Sequence, residues 1–233
     1  MLLASVVPRP KHTFCRSFIV SSPRNRINRR AKMEKVHKPV LIVIAGPNGS
    51  GKTTVTEQIL RHDWMEDAIY INPDIIAQER FGDWNSKEAV AKSIAYCEEL
   101  REKCLAERQS LIFETVLSRE DKVEYIRRAK EAGFFVRLFF VCTKSPMINA
   151  SRIAKRVMQG GHDVPITKII SRYNLSIANC VDAAKIVDRC YLYDNSIEDC
   201  NARAIYRVVN SEVYKVYTDD IPNWAESIRE YLK

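Results

Sequence analysis

The sequence predicts an α/β fold in which a mostly parallel sheet carries helices on both faces. Short apolar runs alternate along the chain with segments of helical periodicity. Several of these runs are apolar throughout, as strands buried on both faces are. A repeated strand–helix–strand order gives parallel strands joined by crossover helices, which places this chain in the α/β class.

The predicted strands are short runs rich in β-branched and aromatic residues, and the predicted helices lie between and after them. The strands are 40–45, 68–71, 110–113, 135–142, 186–193 and 204–209. The helices are 52–61, 75–81, 87–107, 119–132, 146–159, 165–184 and 222–232. Ligands of such sheets bind at the carboxyl ends of the strands, so functional residues are expected there.

A glycine-rich segment follows the first strand and opens the first helix. It matches the Walker A pattern G-x-x-x-x-G-K-[ST] at every fixed position. Its backbone N–H groups and the helix N-terminus can bind phosphates, Lys52 can reach the outer phosphates, and the Thr53 hydroxyl can ligate Mg²⁺. The predicted ATP-binding residues are Gly46, Pro47, Asn48, Gly49, Ser50, Gly51, Lys52, Thr53 and Thr54.

Acidic residues end the next two strands. Asp74 follows the second strand, where it can accept the proton of an attacking hydroxyl or can simply cap the following helix. Glu114 and Thr115 end the third strand, as substrate-binding groups or as a solvent-exposed strand end. The fourth strand ends in Cys142 and Thr143 with no Walker B acid, which favours a small phosphotransferase over a hydrolytic machine.

The helix predicted at 146–159 has the features of a lid. Ser145 and Pro146 form a favourable N-terminus, and Arg152 and Arg156 lie one turn apart on one face. Two guanidinium groups on a lid can neutralise a phosphoryl group during transfer. The alternative is a basic face in contact with solvent only.

Charge divides the chain of 233 residues into two parts. The formal net charge of +8 lies entirely in residues 1–32, so residues 33–233 are neutral overall. The neutral domain argues against nucleic acid as a partner. Residues 1–32 form a leader predicted to be disordered, and three interpretations stay open: an organellar transit peptide, a basic arm, or translated sequence upstream of a start at Met33.

The remaining composition bears on location and metals. No apolar run approaches the ~18 residues of a membrane span, so no membrane association is expected. The seven cysteines have no zinc-site spacing. Without a secretory signal they are expected to be reduced thiols, which predicts a cytoplasmic protein.

Taken together, these motifs resemble those of the zeta toxin family, especially its short single-domain bacterial members. The resemblance covers about residues 39–195. The motifs are Gly46-x-x-Gly-x-Gly-Lys-Thr-Thr, Asn72-Pro-Asp74, Glu114-Thr115-x-Leu-Ser118, Arg152-x-x-x-Arg-Val, Gly160-Gly-His-Asp-Val-Pro165 and Arg172-Tyr173. The ordered combination is specific, whereas single pieces other than the Walker A segment are weak signals.

The resemblance implies a P-loop kinase fold and a kinase that uses ATP and Mg²⁺ to phosphorylate a sugar-nucleotide hydroxyl, that of UDP-N-acetylglucosamine in the best-known members. It implies that Asp74 is the base, and that Lys52 and the two lid arginines stabilise the transferred phosphoryl group. Glu114 and Thr115 would contact the small-molecule acceptor. It also implies an antitoxin-like protein inhibitor. Two alternatives remain: a polynucleotide or nucleoside kinase, and a nucleotide-dependent binding protein without transfer activity.

Overall fold

Seven strands form one sheet among the residues that the structure describes. The structure is a computed structural model that describes residues 38–59, 68–81, 86–159 and 164–232. The strands are β1 (Val40–Ala45), β2 (Ile69–Ile71), β3 (Leu111–Thr115), β4 (Phe135–Cys142), β5 (Arg189–Asp194), β6 (Arg203–Val209) and β7 (Glu212–Val216). Their order across the sheet is β2-β3-β1-β4-β5-β6-β7. The first five are parallel, and β6 and β7 are antiparallel.

The helices of the described residues connect the parallel strands and cover both faces of the sheet. They are α1 (Lys52–Ile59), α2 (Pro73–Phe81), α3 (Lys87–Ala106), α4 (Glu120–Glu131), α5 (Pro146–Met158), α6 (Ile166–Ile186) and α7 (Asn223–Tyr231). Side chains of α3, α4, α6 and α7 join one face of the central strands in a large buried core. Val55 of α1 packs on the opposite face, against a smaller cluster. The predicted α/β class is therefore confirmed.

Most boundaries lie within one or two residues of the sequence prediction, and the differences that matter for the site are at the α6–β5 junction and at the start of α2. Helix α6 continues to Ile186 and β5 starts at Arg189, because the apolar run at this junction is shared between helix and strand. Asp188, between them, accepts a hydrogen bond from the backbone N–H of Val136 at 2.8 Å and pairs with Lys130. Helix α2 starts at Pro73 instead of residue 75.

Strand β7 was not predicted. It pairs with β6 through a turn at Asn210 and Ser211, whose φ values are 49° and 67°. This left-handed pair suits a two-residue hairpin, but the sequence has Asn-Ser where Asn-Gly would signal it. Most β7 side chains are exposed, so the strand lacks an apolar pattern.

Some predictions lie outside the described residues. These are the leader at 1–32, the start of the domain at Met33, the end of the first helix at 60–61, and most of the Gly160–Pro165 turn. Within the described residues, none of the helices combines the length and apolar character needed to cross a bilayer.

Candidate active site

The predicted phosphate loop, residues 46–54, connects β1 to α1 at the carboxyl edge of the sheet. Gly46, Gly49 and Gly51 have φ values of 149°, 78° and 89°. A Cβ atom on Gly46 would lie 2.0 Å from the backbone oxygen of Val141. A Cβ on Gly51 would lie 2.1 Å from the side-chain nitrogen of Asn195. The glycines are required by both backbone conformation and close approach.

Other members of the loop face either the protein or solvent. Ser50 is fully buried, and its hydroxyl has no hydrogen-bond partner in the described part of the chain. Thr53 and Thr54 are exposed in the first turn of α1. Hydroxyl groups of this kind can contact a bound phosphate or metal ion.

Lys52 is held over the loop. Its Nζ donates to the backbone oxygen of Gly46 at 2.9 Å and to that of Pro47 at 3.1 Å. Burial lowers the pKa of Lys52 to about 8, while the negative charge of Glu114 opposes this shift. The charge of Arg156 lowers the pKa further, and that of Asp74 raises it. Glu114, Asp74 and Arg156 therefore each act electrostatically on Lys52.

Glu114 lies at the end of β3, directly beside β1, where it pairs in register with Ile44. Its Oε1 accepts hydrogen bonds from the Thr56 hydroxyl at 2.8 Å and from the Tyr70 hydroxyl at 2.6 Å. Strand β3, which lies beside β1, thus begins with three buried apolar residues followed by the acid Glu114. No Walker B acid ends β4, but Glu114 is an acid at the end of a buried strand beside β1.

Asp74 is not the cap of α2. Asn72 caps this helix: its side-chain oxygen accepts from the backbone N–H of Asp74 at 2.9 Å, and its backbone oxygen accepts from Ile76 at 3.1 Å. Asp74 lies within the first turn and is exposed, and among the described residues its carboxylate makes no hydrogen bond or ion pair. The capping interpretation is therefore wrong, and the Asp74 carboxylate is available to a ligand.

Thr115 has a structural partner. Its hydroxyl accepts a hydrogen bond from the backbone N–H of Leu117 at 3.1 Å, and Leu117 has a positive φ of 56°. Its backbone oxygen accepts from Gly46 at 3.2 Å. Thr115 thereby fixes the turn after β3 and supports the phosphate loop, and its predicted contact with an acceptor remains a hypothesis.

The two predicted lid arginines point to different surroundings. Arg156 is exposed and acts on Lys52. The Arg152 guanidinium lies 3.5 Å from the backbone oxygen of Ile197, in the loop after β5. Lys155 pairs with Glu198 of the same loop at 2.6 Å. The α5 helix is thus attached to the β5–β6 loop on the side of Arg152.

Several residues that sequence reasoning did not assign complete the site. Arg172 of α6, which the sequence analysis named only as part of the Arg172-Tyr173 motif, donates to the Asn48 side-chain oxygen in the phosphate loop at 3.3 Å. Asn195 follows β5 and donates to the backbone oxygen of Ser50 at 2.8 Å. Tyr70 and Thr56 bind Glu114. Tyr70 and Thr56 could be assigned only by knowing that β3 lies between β2 and β1.

The donor atoms near the loop fit Mg²⁺. The described residues contain no group of three or more His, Cys, Asp or Glu side chains able to hold a metal ion. Mg²⁺, however, is usually bound by one or two protein oxygens together with substrate phosphates. The exposed Thr53 hydroxyl and the Glu114 carboxylate are oxygen donors of this kind.

Comparison with known proteins supports the same fold. A protein of Haemophilus influenzae described as uncharacterized is 29% identical over 134 residues, covering 57% of this chain and 91% of that protein. The structure from the PezAT toxin–antitoxin system of Streptococcus pneumoniae matches with a TM-score of 0.52 and 17% identity. This match covers 84% of this chain and 86% of the PezAT chain.

A second solved structure is AvrRxo1-ORF1:-ORF2 with ATP. It matches with a TM-score of 0.52 and 18% identity over 84% of this chain, and this chain spans 64% of that one. At such identities the structural matches show the fold alone, an α/β sheet of mostly parallel strands covered by helices. The Zeta toxin family model matches residues 24–199. Since that match covers more than half of the sequence, the chain belongs to the Zeta toxin family.

Proposed function

We propose that the protein is an ATP-dependent kinase that transfers the γ-phosphoryl group of ATP to a hydroxyl group of a small molecule. Family membership and the kinase-type fold support a nucleotide-dependent phosphotransferase. The observation that carries the proposal is that Asp74, whose carboxylate makes no hydrogen bond among the described residues, acts electrostatically on Lys52 of the phosphate loop, as does Glu114 of the strand beside β1. A carboxylate without a protein partner near a phosphate loop can accept the proton of a hydroxyl that attacks the γ-phosphate.

Each proposed role follows from position. Backbone N–H groups of residues 46–54 and the Lys52 ammonium would bind the phosphates. Asp74 would accept the proton of the acceptor hydroxyl while the oxygen of that hydroxyl forms a bond to the γ-phosphorus. The bond from that phosphorus to the β,γ-bridging oxygen would break and release ADP. Arg156, which already acts on Lys52, would stabilise charge on the transferred group.

Magnesium would be held by the Thr53 hydroxyl and the nucleotide phosphates, with Glu114 close enough to orient ligands around it. When bound, the ion would neutralise charge on the β- and γ-phosphates. Glu114 has a second proposed role as an acceptor-binding group, because only its Oε1 is hydrogen-bonded among the described residues.

The acceptor in this proposal is a UDP-N-acetyl sugar. Its support is the resemblance of Asn72-Pro-Asp74 and Glu114-Thr115 to the family motifs, together with the family match. A protein inhibitor of antitoxin type is proposed on the same basis, since the matched structure from S. pneumoniae belongs to a toxin–antitoxin system.

The test is phosphoryl transfer by the purified chain. The protein would be incubated with ATP and Mg²⁺, with and without UDP-N-acetylglucosamine, and products followed by ³¹P NMR and mass spectrometry. A phosphorylated sugar nucleotide formed with equimolar ADP supports the proposal. Rapid ATP hydrolysis that ignores a panel of sugar nucleotides, nucleosides and polynucleotides would instead identify a hydrolase. ATP binding without turnover would identify a nucleotide-dependent binding protein.

A further inference from the structure

Tyr70 lies between the two acidic residues of the site, and the proposed function does not use it. It is the middle residue of β2 and is half-buried. Its hydroxyl oxygen lies 2.6 Å from Glu114 Oε1 and 2.9 Å from the Asn72 side-chain nitrogen. Asn72 in turn caps the helix that carries Asp74. These contacts form a chain of side chains, the Tyr70 relay, which consists of Asn72, Tyr70 and Glu114.

We propose that Tyr70 is a positioning residue that fixes the Glu114 carboxylate and ties it to the start of α2, so that Glu114 and Asp74 face the acceptor in one geometry. This inference rests on the proposed kinase function. Within the described residues, the side-chain hydrogen bonds of Tyr70 go to Glu114 and Asn72 and not to the phosphate loop.

The hydrogen bonds of the relay have only one possible direction. A backbone N–H can only donate, so the Asn72 side-chain oxygen must face Asp74 and its nitrogen must face Tyr70. An amide N–H₂ can only donate as well, so the Tyr70 oxygen accepts that bond. The Tyr70 proton is then directed to Glu114, whose carboxylate can only accept.

Tyr70 remains a donor throughout the physiological range. Burial raises the pKa of its hydroxyl, and the negative charge of Glu114 raises it further. The distance of 2.6 Å is typical of a charge-assisted O–H···O⁻ bond, which is about twice as strong as a bond between neutral groups. Thr56 of α1 donates to the same carboxylate oxygen at 2.8 Å. Glu114 is therefore held from β2 on one side and from the phosphate-loop helix on the other.

Replacing Tyr70 with phenylalanine removes one donor from Glu114 and the acceptor of the Asn72 amide. Asn72 can then rotate, and the cap of α2 loosens at Asp74. The phosphate loop keeps all of its contacts. The expected result is a lower rate of transfer to the acceptor. The kcat for this transfer falls about 10- to 100-fold, which corresponds to the loss of one hydrogen bond to a charged group. The Kd for ATP changes by less than about twofold.

The experiment compares Tyr70→Phe with the matched variant Tyr193→Phe. Tyr193 is a half-buried tyrosine of the same sheet that stacks with Phe139 and lies outside the relay. Two readouts are measured in the full chain. Hydrogen exchange at the Asp74 amide reports the relay without any turnover. Phosphoryl transfer from ATP, with UDP-N-acetylglucosamine as the probe acceptor and with water as background, reports the site.

The proposal predicts faster exchange at Asp74 and lower kcat in Tyr70→Phe, with ATP affinity unchanged and Tyr193→Phe like the wild type. Unchanged exchange at Asp74 overturns it, as does an equal loss in both variants or a parallel loss of ATP affinity. Wild-type protein that turns over no ATP would defeat the proposed function separately. In that case the exchange readout alone decides whether Tyr70 positions Glu114 and α2.

Discussion

The phosphate-loop side of the site and the side that faces the acceptor are built in different ways. The loop is made of consecutive residues, and its shape depends on backbone angles and on close approach of Gly46 to Val141. The proposed acceptor side is made of Tyr70, Asn72 and Glu114, which come from two strands and a helix start. A site built locally can be found from a motif. A site built across strands depends on the order of the sheet.

The largest expected effect is on the acceptor side. Asp74→Asn should reduce phosphoryl transfer about 10²- to 10⁴-fold, the usual span for loss of a general base, because the amide cannot take the acceptor proton. ATP affinity should hardly change, since among the described residues the backbone N–H of Asp74 donates to Asn72 and no hydrogen bond of Asp74 goes to the loop. Single-turnover transfer and calorimetric ATP titration would measure the two quantities. Normal turnover by Asp74→Asn would remove Asp74 from the mechanism.

The matching change on the loop side is Gly46→Ala. A Cβ atom there meets the Val141 backbone oxygen at 2.0 Å, and backbone cannot move aside as a side chain can. We expect a loss of about 3 kcal/mol or more in the free energy of unfolding, together with loss of ATP binding. Urea unfolding measures the first and calorimetry the second.

Gly133→Ala is the control for this change. Gly133 also has a positive φ, 85°, but its nearest neighbour is an arginine side chain at 3.4 Å. It should cost about 1–2 kcal/mol from backbone strain alone and leave ATP affinity intact. Equal effects of the two substitutions would show that close approach at Gly46 is unimportant.

A smaller effect is expected from pH, with opposite signs for stability and binding. Burial lowers the pKa of Lys52 to about 8 from the ordinary 10.5. Between pH 8 and 10.5 the unfolded chain holds more protons than the folded protein, so stability without nucleotide should rise with pH through this range. ATP affinity should fall by up to about tenfold per pH unit above 8, because the neutral amine loses its attraction to phosphate.

Urea titrations and ATP calorimetry at pH 7, 8, 9 and 10 would measure both trends. Lys52→Met should abolish the contribution of this residue to the rise in stability and weaken ATP binding at every pH. An ATP affinity that stays constant between pH 8 and 10 would contradict the lowered pKa of Lys52.

The smallest effect separates the two arginines of α5. Arg156→Gln should lower kcat about tenfold, because the charge of Arg156 acts on Lys52 and would also act on the transferred phosphoryl group. Arg152→Gln should lower it less, since its guanidinium is directed to the Ile197 backbone oxygen. Steady-state kinetics with saturating ATP would rank them. The reverse order would mean that α5 turns when nucleotide binds.

Much of the fold was predictable because its elements are encoded locally. All six predicted strands are present, and Ser145 caps α5 with Pro146 in its first turn, as expected from these residue types. Strand β7 was missed because its side chains are mostly exposed and its turn lacks glycine. The start of α2 was predicted at residue 75, with Asp74 as a possible cap. The helix starts at Pro73 because Asn72 supplies the cap.

Within the site, spacing alone could not choose between the two roles considered for Asp74. The structure removed the capping role by giving it to Asn72. Spacing also grouped Arg152 with Arg156, although their guanidinium groups interact with different parts of the molecule. Helical periodicity gives the face on which a side chain lies, but the partner is set by whatever packs against that face.

By itself, the sequence determined the phosphate loop, the class of fold and the family, because glycine conformations, helix caps and apolar runs act over a few neighbouring residues. Only the tertiary structure decided that β3 lies beside β1 and that Glu114 therefore faces Lys52 and Tyr70. These contacts join residues up to 62 positions apart, such as Lys52 and Glu114. Sheet order results from packing of the whole core, which short-range patterns do not encode.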